Sequence, residues 1–201
     1  MRQTAAFWGL LSLLATGCND PFAILPANRE NRVDTLELFA ANGTTLDLPS
    51  GYVIAAKDDT ARKGRVRLGI DPPTVLNAPP FDFLYRIDPT AGPQFAPFNS
   101  VAAPTGESSA GRSGFQGSTQ TFDAIAEAQQ VGYITDKPID LTVGLVMFAR
   151  SSLPNGCFLG IPYYAKIEIL GFDPTRRSVS FRILANTNCG YRGLLPGIPE
   201  R

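Results

Sequence analysis

From Val33 onward the chain alternates apolar and polar positions with a period of two. Arg65-Val66-Arg67-Leu68-Gly69-Ile70 places Val66, Leu68 and Ile70 on one face, the pattern of a half-buried strand. Phe81, Phe83, Tyr85 and Ile87 form a second inward row, with Asp82 and Arg86 between them on the other face. Further strands are expected over Val33–Phe39, Thr44–Leu48 (after the Asn42-Gly43 turn signal) and Gly51–Ala56. Leu141 to Ala149 is apolar on both faces, which predicts a central strand covered on both sides. One stretch departs from this pattern. Thr121 to Gln130 holds Ala124, Ala126, Ala128 and Gln129, good helix formers behind a capping threonine, so a short helix is expected there. Ser100 to Gln120, rich in Gly, Ser and Ala, reads as a loop.

The last hairpin carries a covalent prediction. Tyr164–Leu170 and Ser178–Ile183 alternate on either side of a turn at Gly171–Thr175. Folding there pairs positions whose numbers sum to about 346 to 349 and sets Ile167 opposite Phe181 or Val179. Cys157 and Cys189 fall on the same sum, so the fold that joins the apolar faces also joins the sulfurs. Pro162 has no N–H to give and must interrupt the ladder between them, at a bulge or an edge. A bond across about 30 residues contributes about 3–4 kcal/mol in the chain-entropy view. Eight or nine short strands, many turns and one staple predict an all-β, two-sheet β-sandwich over residues 33–201, immunoglobulin-like or jelly-roll-like. Two turn sequences resemble each other, Asp88-Pro89-Thr90-Ala91 and Asp173-Pro174-Thr175-Arg176.

Composition narrows the function. With 18 basic and 18 acidic residues the chain lacks the basic footprint that nucleic acid requires, and no nucleic-acid partner is expected. There is no histidine, which removes the commonest neutral-pH base and transition-metal ligand and excludes Ser-His-Asp and Cys-His catalysis. Two cysteines far apart in sequence offer no thiolate cluster, and phosphate-binding glycine loops are absent. No cofactor is expected. Carboxylates remain: Glu37, Asp47, Asp82, Asp123, Glu127, Asp140 and Glu168 include the pair a glycosidase-type hydrolase would need. For each of them a solvated strand face or turn is the commoner use.

The N-terminus adds a location. MRQTAAFWGLLSLLATGC has one basic residue, Arg2, an apolar run from Ala5 to Leu14 and small residues before Cys18. The run is too short to span a bilayer, so it reads as a processed export signal. Leu13-Leu14-Ala15-Thr16-Gly17-Cys18 resembles the lipobox of bacterial lipoproteins. The resemblance covers residues 1–18 only and implies cleavage before Cys18, whose sulfur would carry a diacylglycerol. It makes membrane lipid the first partner, attached through Cys18, and places the protein outside the cytoplasm. Asn19 and Asp20 after the cysteine mildly favour the outer membrane over the periplasmic face of the inner one. Residues 19–32, polar and broken by prolines, then read as a tether of at most about 50 Å.

Two stretches are candidate contact surfaces. Arg62 and Lys63 belong to a basic turn with Lys57, Arg65 and Arg67, which could meet anionic lipid or be a solvated hairpin end neutralised by Asp58 and Asp59. Asp71–Pro104 is proline-rich and carries Phe95, Pro97 and Phe98. Prolines exclude the segment Gly92–Phe98 from regular helix and interior strand, and pre-ordered chain bearing aromatics suits a partner surface. The competing expectation is that these rings pack on the domain's own core. The sequence as a whole points to a non-enzymatic, membrane-anchored lipoprotein that binds or braces a membrane-protein or envelope partner, such as an extrinsic subunit of a complex. A small-ligand carrier or sensor with an apolar pocket between the sheets and a carboxylate-based hydrolase are the alternatives.

Overall fold

In a computed structural model of the chain, residues 25–45, 47–55, 63–64, 81–101, 111–153 and 156–200 are described. They form a β-sandwich of two antiparallel sheets. The strands are β1 (Val33–Phe39), β2 (Gly51–Tyr52), β3 (Lys63–Gly64), β4 (Phe83–Asp88), β5 (Gly92–Pro97), β6 (Gly114–Ser118), β7 (Ile139–Asp140), β8 (Val146–Arg150), β9 (Tyr164–Asp173) and β10 (Ser178–Asn186), with one short helix, α1 (Phe98–Val101). One sheet runs β1-β10-β9-β8-β6 and the other β3-β2-β4-β5-β7. The expected strand over Arg65–Ile70 lies outside the described residues.

The sheets meet through aromatic rings. Phe83 and Phe95 of one sheet pack against Phe115 and Phe181 of the other, with centroids 5.2 Å apart for Phe83–Phe115 and 5.4 Å for Phe95–Phe181. Tyr52, Met147, Ile167 and Val179 complete this core at zero exposure. Large rigid rings meeting edge to face fill the space between sheets with little side-chain entropy lost.

A third layer covers the first sheet. β8 alternates across its two faces as its doubly apolar sequence predicts: Met147 and Ala149 face the main core, while Val146 and Phe148 join Tyr164 and Leu184 beneath Phe122, Ile125, Ala128 and Leu194. All the covering residues but Leu194 come from the stretch expected to be a helix. It is instead a three-residue 3₁₀ turn, Phe122–Ala124, followed by irregular chain. Its backbone bonds go outward to the C-terminal tail: Ala128 N–H donates to Arg192 O (2.9 Å) and Leu194 N–H to Ala126 O (2.7 Å). Apolar positions 122, 125 and 128 reach one face without helical hydrogen bonds, so tertiary pairing overrides propensity.

Several local expectations need correction. β5 is an interior strand despite Pro93 and Pro97, lying between β4 and β7. Tyr85 and Ile87 send their N–H groups away from β5, to Ser50 O and Asn42 Oδ1, so their partner positions on β5 make no ladder bonds with β4. Pro93 sits opposite Ile87 and Pro97 opposite Phe83. Both therefore fall where β4 asks for no donor, and β7 covers only Gln94 and Phe95. Gly114–Ser118, expected as loop, is β6, and a Cβ at Gly114 would stand 2.6 Å from Ile134 O. The described residues of Thr44–Leu48 (44, 45, 47 and 48) form no strand, and the strand expected to Ala56 ends at Tyr52. Leu141–Leu145 precedes β8, with Gly144 at φ 82°.

The final hairpin pairs Ile167 with Ile183, not with Phe181 or Val179. β9 continues through Asp173, so the turn sits at 174–177, later than the glycine at 171 suggests, and a bulge at Leu170 shifts the register once. The two similar turns adopt one chemistry. Asp88 Oδ1 accepts the N–H groups of Thr90 and Ala91, and Asp173 Oδ1 those of Thr175 and Arg176, all at 2.9 Å. These donors, Ala91 first, hold the Asp88 carboxyl below its usual range. The residue after each turn has positive φ: Gly92 at 82° and Arg177 at 53°.

Candidate functional site

The most constrained part of the surface is the end of the first sheet where β9 begins and β10 stops. Cys157 and Cys189 are bonded there, with Sγ atoms 2.05 Å and Cα atoms 5.4 Å apart. The β9–β10 ladder ends at Tyr164–Asn186, just inside Pro162, so the bond closes two loops beyond the ladder rather than the hairpin itself. The 151–163 loop is held by Cys157 N–H on Ile161 O and by Ser151 Oγ accepting Tyr163 N–H.

An asparagine relay fastens the incoming N-terminal segment to this end. Asn186 Oδ1 accepts Asn188 N–H and Nδ2–H, and Asn188 Oδ1 in turn accepts the N–H groups of Asn28 and Arg29. Asn188 Nδ2 also donates to Arg29 O. Ala27 N–H reaches the Tyr191 hydroxyl at 3.1 Å, and Asn31 exchanges backbone bonds with Gly197 while its Nδ2 donates to Gly193 O and Leu195 O. The Asn31, Asn186 and Asn188 side chains are buried; the two Asn186–Asn188 bonds form out of water, where leaving them unmade would be costly, and the bonds to residues 27–29 are part-buried. Residues 27–31, read from sequence as tether, are thus part of the domain. A groove of about 710 Å³ lies between Ala126–Glu127 and the tail from Gly190 to Glu200. An Arg192–Glu127 ion pair crosses it, and exposed Leu195 and Ile198 line it.

Charged groups elsewhere are tied into the fold. Lys166 is buried on the covered face of the first sheet. Its Nζ donates to Ile125 O at 2.9 Å and lies 4.7 Å from the centre of the Phe122 ring. Burial lowers its pKa, opposed by Asp123. Arg182 covers the other side of the same cluster, 4.2 Å from the Phe122 ring, and pairs with both Glu168 and Asp123. Asp82, expected to face outward, is fully buried. Its carboxylate accepts Ile54 N–H and Ser152 N–H at 2.8 Å each, and Ser152 Oγ–H at 3.2 Å. It joins three irregular segments at one point.

The carboxylates considered for hydrolysis therefore meet cations and donors. Glu37 binds Arg176 and Ser178, Asp140 accepts Gln94 Nε2–H, and Glu127 pairs with Arg192. Asp123 and Glu168 come together only around Arg182. Among the described residues no His/Cys/Asp/Glu cluster could hold a metal, and no helix is long and apolar enough to cross a membrane.

The candidate contact residues fare unevenly. Phe95 is at the centre of the core, Pro97 is buried in β5, and Phe98 packs edge-on against Phe81 at 5.1 Å, over Leu84 and Ala96. Phe95 and Pro97 are therefore core residues of an inner strand, and Phe98 is partly buried beside it. Lys63 pairs through its backbone with Tyr52 in β3. Arg62 and Cys18 lie outside the described residues. The asparagine relay escaped the sequence reading. Asn186-Thr187-Asn188 beside Cys189 was its only trace, and nothing local says which distant backbone those amides will meet. Comparison with protein-family models, curated proteins and solved structures yields no match to this chain.

Proposed function

We propose that this protein is a non-enzymatic lipoprotein domain, anchored outside the cytoplasm through acylated Cys18, that braces a membrane-protein or envelope partner. The observation that carries the reading is the fastening of residues 27–31 to the disulfide-bonded end. From Cys18 to Ala27 is nine residue steps, at most about 30 Å even fully extended. The covalently closed, asparagine-locked end is therefore the part of the domain presented near the anchor. A rigid body held close to the anchor suits contact with a neighbour in the same membrane. The engagement of Glu37, Asp123, Glu127 and Glu168 by arginines and the absence of histidine support a role without acid–base chemistry.

The test is fractionation in mild detergent from the native membrane. The proposed brace migrates with a larger assembly, and Cys18→Ser shifts the protein out of that assembly. A lone monomer across several gentle detergents would refute bracing.

A further inference from the structure

We propose that the disulfide-bonded end rests directly on the lipid surface, with Phe158 entering the interfacial layer and Leu25, Leu195 and Ile198 beside it. This inference rests on the lipid-anchored reading and adds a specific contact face to it. Phe158 is 73 % exposed and Leu25 62 %, and Leu195 and Ile198 are also exposed. Large apolar side chains this open to solvent are ordinary when scattered singly, but these are joined by the bonds already described. Phe158 follows Cys157, which is bonded to Cys189. Asn188, next to Cys189, clamps Arg29, four residues from Leu25. Asn31 holds Gly197 and Leu195 O, which lie within the tail segment bearing Leu195 and Ile198. All four apolar side chains thus belong to chain segments fixed to the end that receives the anchor.

Chain entry favours this end over the one where Val143 is exposed. The segment that leads back to the anchor is fastened at the Tyr164 end of β9, where the ladder closes at Tyr164–Asn186. Val143 lies beside Gly144, whose N–H meets Ile169 O, five residues further along β9 and about 17 Å away. An apolar ring at the headgroup boundary, supplementing a covalent lipid, is an effective second attachment.

The sequence supplies a clean reporter. Its single tryptophan, Trp8, precedes Cys18, so a mature chain cleaved there has none. Acylated Phe158→Trp, Ile198→Trp and Val143→Trp proteins are reconstituted on vesicles containing bromine-labelled phospholipid, and each is challenged separately with aqueous iodide. The proposal expects lipid bromine to quench the indoles of Phe158→Trp and Ile198→Trp several-fold more than that of Val143→Trp, and iodide to show the reverse order. Equal lipid quenching in all three variants, or a Phe158→Trp indole open to iodide on fully sedimenting vesicles, overturns the contact face while leaving the anchor intact. Failure of the acylated protein to sediment at all instead refutes the anchored reading beneath it.

Discussion

Asn188 grips both backbone groups of Arg29: its Oδ1 accepts the Arg29 N–H at 2.9 Å and its Nδ2 donates to the Arg29 carbonyl at 2.8 Å. This is the pattern of a strand pair, made by a side chain. It spans 159 positions of sequence and closes the domain's N-terminal segment onto the residue before Cys189. Replacing Asn188 with Ala removes the acceptor of the Asn28 and Arg29 N–H groups, part-buried bonds that contribute about 0.5–1.5 kcal/mol each. Hydrogen exchange at those two amides should accelerate strongly while the Leu36 amide in β1 stays protected. Unchanged exchange at Asn28 and Arg29 would show that the relay does not hold the segment.

The disulfide stabilises by joining the two loops that receive this segment. Converting Cys157 and Cys189 together to Ser should lower unfolding stability by about 3–4 kcal/mol, the value for a closed loop of this size. Urea titration of oxidised wild type against the double variant measures it. A difference below about 1 kcal/mol would place the stabilisation elsewhere.

The two Asp-Pro-Thr turns offer a matched pair. Gly92 has positive φ with open space where a Cβ would stand, so Gly92→Ala tests backbone conformation alone and should cost about 1 kcal/mol. Arg177 already occupies the corresponding left-handed position and donates to Asn42 O. Arg177→Gly relieves the backbone and loses that bond, so its urea midpoint should move less than that of Gly92→Ala.

Stability against pH should be flat through neutrality and change in alkali. No histidine is present to titrate near pH 6.5. Burial pushes the Tyr85 phenol up from 10 to about 12, against the lowering effect of Arg177. The folded protein keeps that proton while the unfolded chain releases it above pH 10. Stability present below pH 10 is therefore lost as pH rises toward 12, by about 2 kcal/mol from this group. Burial raises Tyr133 and Tyr164 in the same sense. Lys166 works oppositely: burial lowers it, so the unfolded chain holds its proton longer and stability gains slightly as pH approaches 10.5. Tyr85→Phe should reduce the alkaline loss, and Lys166→Met should flatten the gain that precedes it, both read from denaturation midpoints between about pH 8 and 12.

What the sequence revealed and what it hid divide along a physical line. The doubly apolar run at Leu141–Ala149 announced a strand covered on both faces, which forms only from Val146, and the alternation at Tyr164–Leu170 and Ser178–Ile183 announced the stapled hairpin, because both signals are local. The repeated Asp-Pro-Thr turns were legible for the same reason. The alanines of 121–130 misled because their backbone donors meet the C-terminal tail, a partner no local window contains. Pro93 and Pro97 argued against an interior strand until the parity of the β4–β5 ladder placed their missing donors where none was needed. Asp82 and Lys166 sat on polar positions of alternating runs, but segments distant in sequence fold over them and bury both. The asparagine relay depends wholly on such distant pairing.

The central claim is that Cys18 carries lipid and that the disulfide-bonded end is held beside it. Intact mass analysis of the mature protein from a membrane fraction tests this most directly. The account predicts a chain beginning at Cys18 with the added mass of a diacylglycerol, plus any amide-linked acyl group. An unmodified cysteine, or a mature chain starting beyond residue 18, would contradict it.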